Sequence, residues 1–288
     1  IASKSCTISI MDTDIRHMKW WGWGYEDVSF DDSNKPALWP YLKRELQVDK
    51  EERTLPVSFE EIQLPEKKSN KGFSDAIKGA LAEGQIADDK KTRLVHAAGK
   101  SFRDLWKLRH GIVEYAPDCV VFPKSEEDVV AIVCAAHEHG VVLIPFGGGS
   151  NIVGCLEPRD REDRLVVSLD MCRMHRVLEV DQYSLTARIQ PGVYGQHMED
   201  QLAGHGVTLG HFPDSFLHST LGGWVATRSA GMQSDLYGKI EDMVISLRMV
   251  TPSGTIITRT VPKSSNGIDV RHLCIGSEGI LGSSPRLS

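Results

Sequence analysis

The sequence lacks the features of a membrane-spanning or a secreted protein. Its longest apolar run, residues 129–136, is far shorter than the roughly 18 residues of a membrane-spanning helix. The six cysteines form no Cys-x-x-Cys pair and lie mostly in apolar stretches, which predicts reduced thiols in a non-secretory compartment. Because the first residue is Ile1 and not methionine, we expect the natural amino terminus, with any targeting segment, to precede this sequence.

The sequence also lacks an excess of positive charge. It has 33 Lys and Arg residues against 39 Asp and Glu residues, a formal net charge of -6, which gives no electrostatic footprint for nucleic acid. Hydrophobic residues at 41% and charged residues at 25% of 288 are typical of a globular protein with a substantial core, in one large or two ordinary domains. The composition therefore favours a small molecule as the partner.

No motif for a metal or for a catalytic nucleophile is present. His137 and His139 flank Glu138, but no ligand pair follows at zinc-like spacing, so we predict no metal site. There is no nucleophile elbow or recognisable Ser-His-Asp set, and the catalytic residues stay unassigned.

What the sequence does contain changes in character near residue 115. Residues 1–114 predict a mostly helical accessory region, with an exposed charged linker at 49–72. Packing helices follow the linker, one with an apolar face of Phe73, Ile77, Ala80 and Leu81, the other at 101–111 with Leu105, Trp106 and Leu108. Residues 115–288 mix parallel and antiparallel patterns with helices, which predicts an α+β domain.

Residues 118–151 predict a β-α-β unit that ends in a glycine-rich loop. A strand at 119–122 is followed by a helix capped by Ser125 and ended by Gly140, and then by a strand at 141–144. Ligands bind at the carboxyl ends of parallel strands, and successive glycine amides can form a nest for a pyrophosphate. The loop that follows this end consists of Pro145, Phe146, Gly147, Gly148, Gly149, Ser150 and Asn151.

The loop does not match a Rossmann dinucleotide fingerprint. Ile152 stands where a third glycine or alanine is needed, and no helix start follows, so loop amides would have to hold the phosphates. A flexible surface turn remains an alternative interpretation of the glycines alone. Further along, we predict antiparallel strands at 165–169, 176–180 and 184–190, a helix at 195–203, and a hairpin joining 243–250 to 255–260.

Residues 213–238 combine Ser-Thr, Gly-Gly and Ser-Ala-Gly steps around one arginine. Glycines 222, 223 and 231 predict that a large cofactor approaches the main chain. Arg228 can supply positive charge to a phosphate or can pair with Asp235 or Glu241. His211 and His218 are further candidates for the same pocket, because they lie beside Pro213 and Asp214 in the sequence.

Three segments together resemble a known cofactor domain: PFGGGSN (145–151), PDSFLHSTLGGWVATRSAG (213–231) and GSEGILG (276–282). They resemble the two-subdomain FAD-binding domain of the vanillyl-alcohol oxidase and p-cresol methylhydroxylase type. With MKWWGWGY (18–25), YGKIEDMV (237–244) and GIDVRHLCIGSEGILG (267–282), the chain is similar to the alkyldihydroxyacetonephosphate synthase family over nearly its whole length. Ser150-Asn151 replaces the Thr-Ser expected in that family.

The resemblance implies that FAD is the cofactor and that three parts of the chain hold it. The first glycine loop would wrap the pyrophosphate, and the other two parts would line the flavin and close over the nucleotide. Carried over to this sequence, the contacts fall on the loop 145–151, on Pro213, Asp214, Ser215, Phe216, Leu217, His218 and Ser219, on Thr227, Arg228, Ser229 and Ala230, and on Glu278, Gly279, Ile280, Leu281 and Gly282.

The resemblance also implies an activity. The family exchanges the acyl group of acyl-dihydroxyacetone phosphate for a long-chain fatty alcohol, without net redox change, in ether lipid biosynthesis in the peroxisome. A homodimer and a peripheral membrane contact are compatible with this family. We expect its substrate-binding cap domain to be absent, because the sequence ends shortly after Gly282. Two alternatives stay open: an FAD-linked hydroxy-acid oxidase or dehydrogenase, and a non-catalytic FAD-binding module.

Overall fold

The described residues of this chain form helices and two separate β-sheets, which confirms the predicted α+β class. The structure is a computed structural model that describes residues 18–29, 31–49, 54–158, 162–262 and 265–288. Five cysteines in these ranges carry free thiols, and Cys6 lies outside them. None of the helices in the described ranges is long and apolar enough to cross a bilayer.

The described part of the amino-terminal third contributes four helices and one short strand. These are α1 (Leu38–Leu46), α2 (Lys71–Ala80), β1 (Ile86–Ala87), α3 (Lys90–Val95) and α4 (Phe102–Arg109). Asn70, Asp89 and Ser101 each accept a main-chain N–H at the start of a helix, so the local sequence defines where α2, α3 and α4 begin.

Two details of the predicted amino-terminal packing are wrong. Phe73, Ile77 and Leu81 are buried as predicted, but Ala80 is exposed and Trp106 is 49% exposed. The predicted linker also packs in part, because Ile62 is buried in a cluster with Leu94, Val95 and Leu108, and the Val57 amide donates to Arg109. A single buried residue in a charged stretch gives no periodic signal.

The first sheet contains the predicted β-α-β unit, with a further strand between its two strands. The sheet contains β1 together with β2 (Cys119–Val121), β3 (Val142–Phe146) and β4 (Val166–Asp170), in the order β1-β2-β4-β3. Strands β2, β4 and β3 run parallel to one another, and helix α5 (Glu126–Glu138) connects β2 to β3. The prediction of β4 as part of the antiparallel half is wrong. All five residues of β4 are buried, as is typical of a parallel strand covered on both faces.

The second sheet is antiparallel, as predicted. Its strands are β5 (Val177–Asp181), β6 (Thr186–Ile189), β7 (Leu247–Thr251), β8 (Gly254–Ile257) and β9 (Ser283–Leu287), in the order β5-β6-β9-β7-β8. The predicted strand at 243–250 begins later, at Leu247, because helix α9 (Ile240–Met243) precedes it. Strand β9 inserts between β6 and β7, and no sequence pattern predicts it.

Besides α9, further short helices connect strands within the second sheet, either β6 to β7 or β8 to β9. They are α6 (Gly195–Ala203), which begins and ends as predicted, α7 (Leu221–Thr227), α8 (Ser234–Tyr237) and α10 (Arg271–Cys274). One core packs α2 and α5 on the first sheet, and another packs α6 and α7 on the second sheet. The two cores correspond to the two subdomains that the resemblance implies.

Candidate functional site

The glycine-rich loop follows the carboxyl end of β3, where the sequence predicts a ligand. Phe146 ends the strand in the core, and the next two glycines, Gly147 and Gly148, lie against a neighbouring segment. A Cβ atom at Gly148 would overlap the carbonyl oxygen of His218, and one at Gly147 would overlap the Thr220 hydroxyl. Glycine is therefore required here because two loops that are distant in sequence lie against each other.

The main-chain amides of this loop form a potential anion site. The N–H groups of residues 147–150 have no acceptor within the described part of the chain, and Gly148 and Gly149 are buried. Buried N–H groups are nearly always paired, so the amides of Gly148 and Gly149 favour an acceptor that is not part of the chain. The Asn151 side chain stabilises the next turn by accepting from the amides of Val153 and Cys155.

A second wall is formed by residues 213–227. Thr220 caps α7, with its hydroxyl 3.4 Å from the Gly223 amide. The Ser219 hydroxyl accepts from Trp224 Nε1 at 2.7 Å, which orients the indole beside the cavity. A Cβ at Gly222 would lie 2.7 Å from Cβ of Pro191, so this glycine too permits close packing of the wall.

A third wall is formed by residues 276–284. The amides of Gly276 and Glu278 donate to the carbonyl groups of Val225 and Ala226, so this segment hydrogen-bonds to the end of α7. Gly279 approaches the first wall, because a Cβ there would lie 2.9 Å from Cγ of Pro145. Glu278 has a φ of 51°, a left-handed conformation that is uncommon for a residue other than glycine.

The three walls enclose a cavity of about 750 Å³. This volume lies within the range of small-molecule and cofactor sites. No Lys or Arg of the described ranges lines it, so its donors are uncharged groups, among them main-chain amides and hydroxyl groups. The cavity volume and the four amides without acceptors fit FAD, whose pyrophosphate needs neutral or positive donors and whose rings need apolar walls.

Most of the predicted cofactor residues line this one cavity. These are Pro145, Phe146, Gly147, Gly148, Gly149, Ser150, Asn151, Asp214, Ser215, His218, Ser219, Thr227, Ser229, Glu278, Gly279 and Gly282. Other predicted residues lie outside the lining: Pro213, Phe216, Leu217, Arg228, Ala230, Ile280 and Leu281. Phe216 packs against Phe212 and Trp224 behind the wall, and Ile280 is 87% exposed.

The side chain of Arg228 is held in position by contacts with other residues of the protein. Its guanidinium donates to the His272 carbonyl group at 2.7 Å and lies 3.4 Å from Glu241 Oε2. The structure therefore favours the pairing with Glu241, which the sequence left as an alternative, over a phosphate contact. Arg228 also has a φ of 53° and lies at the end of α7, so its left-handed main chain changes the direction of the chain there.

The two candidate histidines occupy different places. His218 lines the cavity, and burial, followed by the nearby positive charges of Lys100 and Lys19, lowers its pKa. His211 is buried outside the lining, with Nε2 3.0 Å from the Ser229 hydroxyl, and burial lowers its pKa too. Both side chains are therefore uncharged near neutral pH, and neither supplies a cation for a phosphate.

The cavity also has lining residues that the sequence did not indicate. They come from segments outside the three motifs and include Trp23, Cys155, Met171, Pro191 and Met249. Trp23 belongs to a cluster of tryptophans with Trp20 and Trp21 in the sequence. This cluster was the sequence feature that could have drawn attention to Trp23, but the spacing of the tryptophans does not indicate that one of them lines a cavity.

A family model described as FAD binding domain matches residues 117–260. The chain therefore belongs to this FAD-binding family, and FAD is its cofactor. It is 47% identical over 254 residues to an alkyldihydroxyacetonephosphate synthase of Dictyostelium discoideum, which covers 86% of this chain and 41% of that protein. It is 38% identical to the enzyme of the same name from Trypanosoma brucei brucei, over 94% of this chain and 48% of that protein.

A solved structure of an alkyldihydroxyacetonephosphate synthase superimposes with a TM-score of 0.87 at 42% identity, and covers 95% of this chain and 53% of that chain. The resemblance noted from the sequence is thus confirmed, including the FAD-binding fold of the p-cresol methylhydroxylase type. The chain spans about half the length of the curated relatives that it matches.

Proposed function

We propose that this chain is the amino-terminal and FAD-binding part of an alkyldihydroxyacetonephosphate synthase. The reaction exchanges the acyl group of acyl-dihydroxyacetone phosphate for a long-chain alcohol, in ether lipid biosynthesis. The observation that supports it most is the 42% identity and TM-score of 0.87 over 95% of the chain, which extends well beyond the cofactor motifs.

In this proposal the residues divide into two parts. Residues 1–114 form an accessory region, and residues 115–288 form the FAD-binding domain, in accord with the family match that begins at 117. A peroxisomal location, a homodimer and a peripheral membrane contact are further parts of the proposal, and they rest on the resemblance to the synthases.

The chain's own residues would bind and orient the cofactor. The amides of the loop 147–150 would hold the pyrophosphate, and the segment 276–279 would cover the nucleotide. Bound FAD supplies an electrophilic and nucleophilic ring system for the exchange, which the protein must orient and shield from water. Trp224, with 2% exposure and a fixed indole, contributes an apolar and rigid part of this wall.

The proposal is tested with the purified protein in two steps. First, its absorbance spectrum is recorded before and after addition of FAD and removal of free cofactor. Second, the flavin-loaded protein is given acyl-dihydroxyacetone phosphate and labelled hexadecanol, and release of the fatty acid and formation of the alkyl product are measured. Both products in equal amounts would support the exchange.

Parallel assays separate the alternatives. Reduction of a dye on addition of a 2-hydroxy acid, without alkyl product, would favour an oxidase or dehydrogenase of the same fold. Bound flavin without either reaction would favour a non-catalytic module. Failure to bind FAD at all would contradict the cofactor assignment itself.

A further inference from the structure

Residues Met18–Tyr25 form a small aromatic hairpin that lies outside the segment matched by the FAD family model. Met18 and Tyr25 pair in an antiparallel bridge, and the Lys19 amide donates to the Gly24 carbonyl group at 2.9 Å. Gly24 has a φ of 78°, so this turn favours glycine. We call residues 18–25 the aromatic hairpin.

The base of the aromatic hairpin is anchored in a core of its own. Trp20 is 2% exposed and packs with Met18, Ile62, Leu94 and Leu108. Trp20 and Trp21 meet edge to face, with ring centroids 5.2 Å apart. This burial fixes the hairpin to the amino-terminal helices, so its tip has a defined position.

The tip of the aromatic hairpin reaches the cofactor cavity. Trp23 lines the cavity, with its ring centroid 5.8 Å from that of His218. The next residue, Gly24, lies so close that a Cβ there would be 3.5 Å from Cε1 of His218. His218 in turn contacts the glycine-rich loop, since its carbonyl group lies against Gly148.

Lys100 connects the aromatic hairpin to the glycine-rich loop. Its ammonium group donates to the Lys19 carbonyl group at 3.1 Å, and its main-chain amide donates to the Asn151 carbonyl group at 2.7 Å. Lys100 is 8% exposed, and burial lowers its pKa to about 8, opposed by the negative charge of Asp104. One buried residue therefore fixes the distance between the hairpin and the loop.

We propose that the aromatic hairpin is a fourth wall of the FAD cavity and that Trp23 contacts a planar ring of the bound cofactor. This proposal rests on the assignment of FAD as the cofactor. An indole presents a large flat apolar face, which suits stacking against the isoalloxazine or the adenine ring. Trp23 is then a binding and positioning residue, supplied by the amino-terminal region to the FAD domain.

The test compares FAD binding by the Trp23→Leu, Trp23→Phe and Trp106→Leu variants with that of the unchanged protein. Trp106 is a matched control, because it is 49% exposed in the same region and does not line the cavity. We expect Trp23→Leu to raise the Kd for FAD by about three- to tenfold, the effect of one lost aromatic contact. We expect Trp23→Phe to retain most of the affinity, and Trp106→Leu to leave the Kd unchanged.

A spectroscopic measurement identifies the contact independently of affinity. On binding, FAD should quench more tryptophan fluorescence in the unchanged protein than in Trp23→Phe, because Trp23 itself is quenched. Equal quenching in the two proteins would mean that Trp23 is not in contact with the cofactor. A change in flavin fluorescence in Trp23→Leu would indicate the isoalloxazine, and quenching without that change would indicate the adenine. Either result supports the proposal.

Two outcomes would overturn it. If the unchanged protein binds FAD and Trp23→Leu binds it with the same Kd and the same spectra, the aromatic hairpin is not a cofactor wall, while the FAD assignment stands. If the unchanged protein does not bind FAD, the hairpin proposal and the FAD assignment fail together.

Lys100→Met provides a second variant, which should weaken FAD binding by loosening the hairpin without altering Trp23 itself.

Discussion

His96 Nε2 lies 2.9 Å from Asp170 Oδ2, and both side chains are fully buried. His96 also donates through Nδ1 to the Thr92 carbonyl oxygen, and its ring centroid lies 4.1 Å from that of Phe146. Phe146 contacts Gly149, where a Cβ would lie 2.6 Å from its ring. The His96–Asp170 pair therefore supports the glycine-rich loop indirectly, through the aromatic ring of Phe146.

Breaking this pair should destabilise the protein. His96→Leu leaves the buried Asp170 carboxyl group with the Cys172 amide as its remaining contact on Oδ1, and we expect a loss of about 3–5 kcal/mol in the free energy of unfolding. Urea unfolding measures this, with His137→Leu as control because His137 is exposed. A loss below about 1 kcal/mol, the level of a surface pair, would show that the contact is weak.

Gly148→Val should abolish FAD retention. Its Cβ would overlap the His218 carbonyl oxygen, and main chain cannot move aside as a flexible side chain can. The measurement is flavin absorbance per protein after gel filtration. Gly79→Val is the control, because nothing lies within 4 Å of a Cβ at that position. Full flavin retention in Gly148→Val would show that the two loops need not touch for the cofactor to bind.

The Cys155 thiol should react slowly with alkylating agents. It donates to Glu278 at 2.6 Å, and burial, with the negative charge of that carboxylate, raises its pKa to about 11. Only the thiolate reacts, so at pH 8 about 0.1% of the group is reactive, and the rate should rise tenfold per pH unit until about pH 11.

Glu278→Gln removes part of the cause and should move this pH profile downward. Mass spectrometry of iodoacetamide labelling at Cys155 measures it across pH, with the exposed Cys134 as internal reference. An unchanged profile in Glu278→Gln would mean that burial alone raises the pKa of Cys155.

Arg228→Gln should affect stability more than cofactor affinity. The guanidinium pairs with Glu241 and the His272 carbonyl group, and it is 39% exposed, so we expect a loss of about 1 kcal/mol in stability. The Kd for FAD should change less than twofold. A tenfold rise in Kd with unchanged stability would instead support a contact between Arg228 and the pyrophosphate.

The sequence determined the local elements of this protein. Helix α5 begins after Ser125, whose side chain accepts from the Asp128 amide, and the glycine-rich loop follows β3, because caps, turns and apolar runs act over a few residues. The resemblance of three motifs, spaced over 138 residues from Pro145 to Gly282, then pointed to one FAD cavity.

The tertiary structure decided which distant segments meet. It placed β4 between β2 and β3, paired Arg228 with Glu241, and brought Trp23 beside His218, although 194 residues separate those two positions in the chain. It also showed that Gly148 is needed for contact between two loops. Such contacts depend on close packing between elements, which leaves no periodic trace in the sequence.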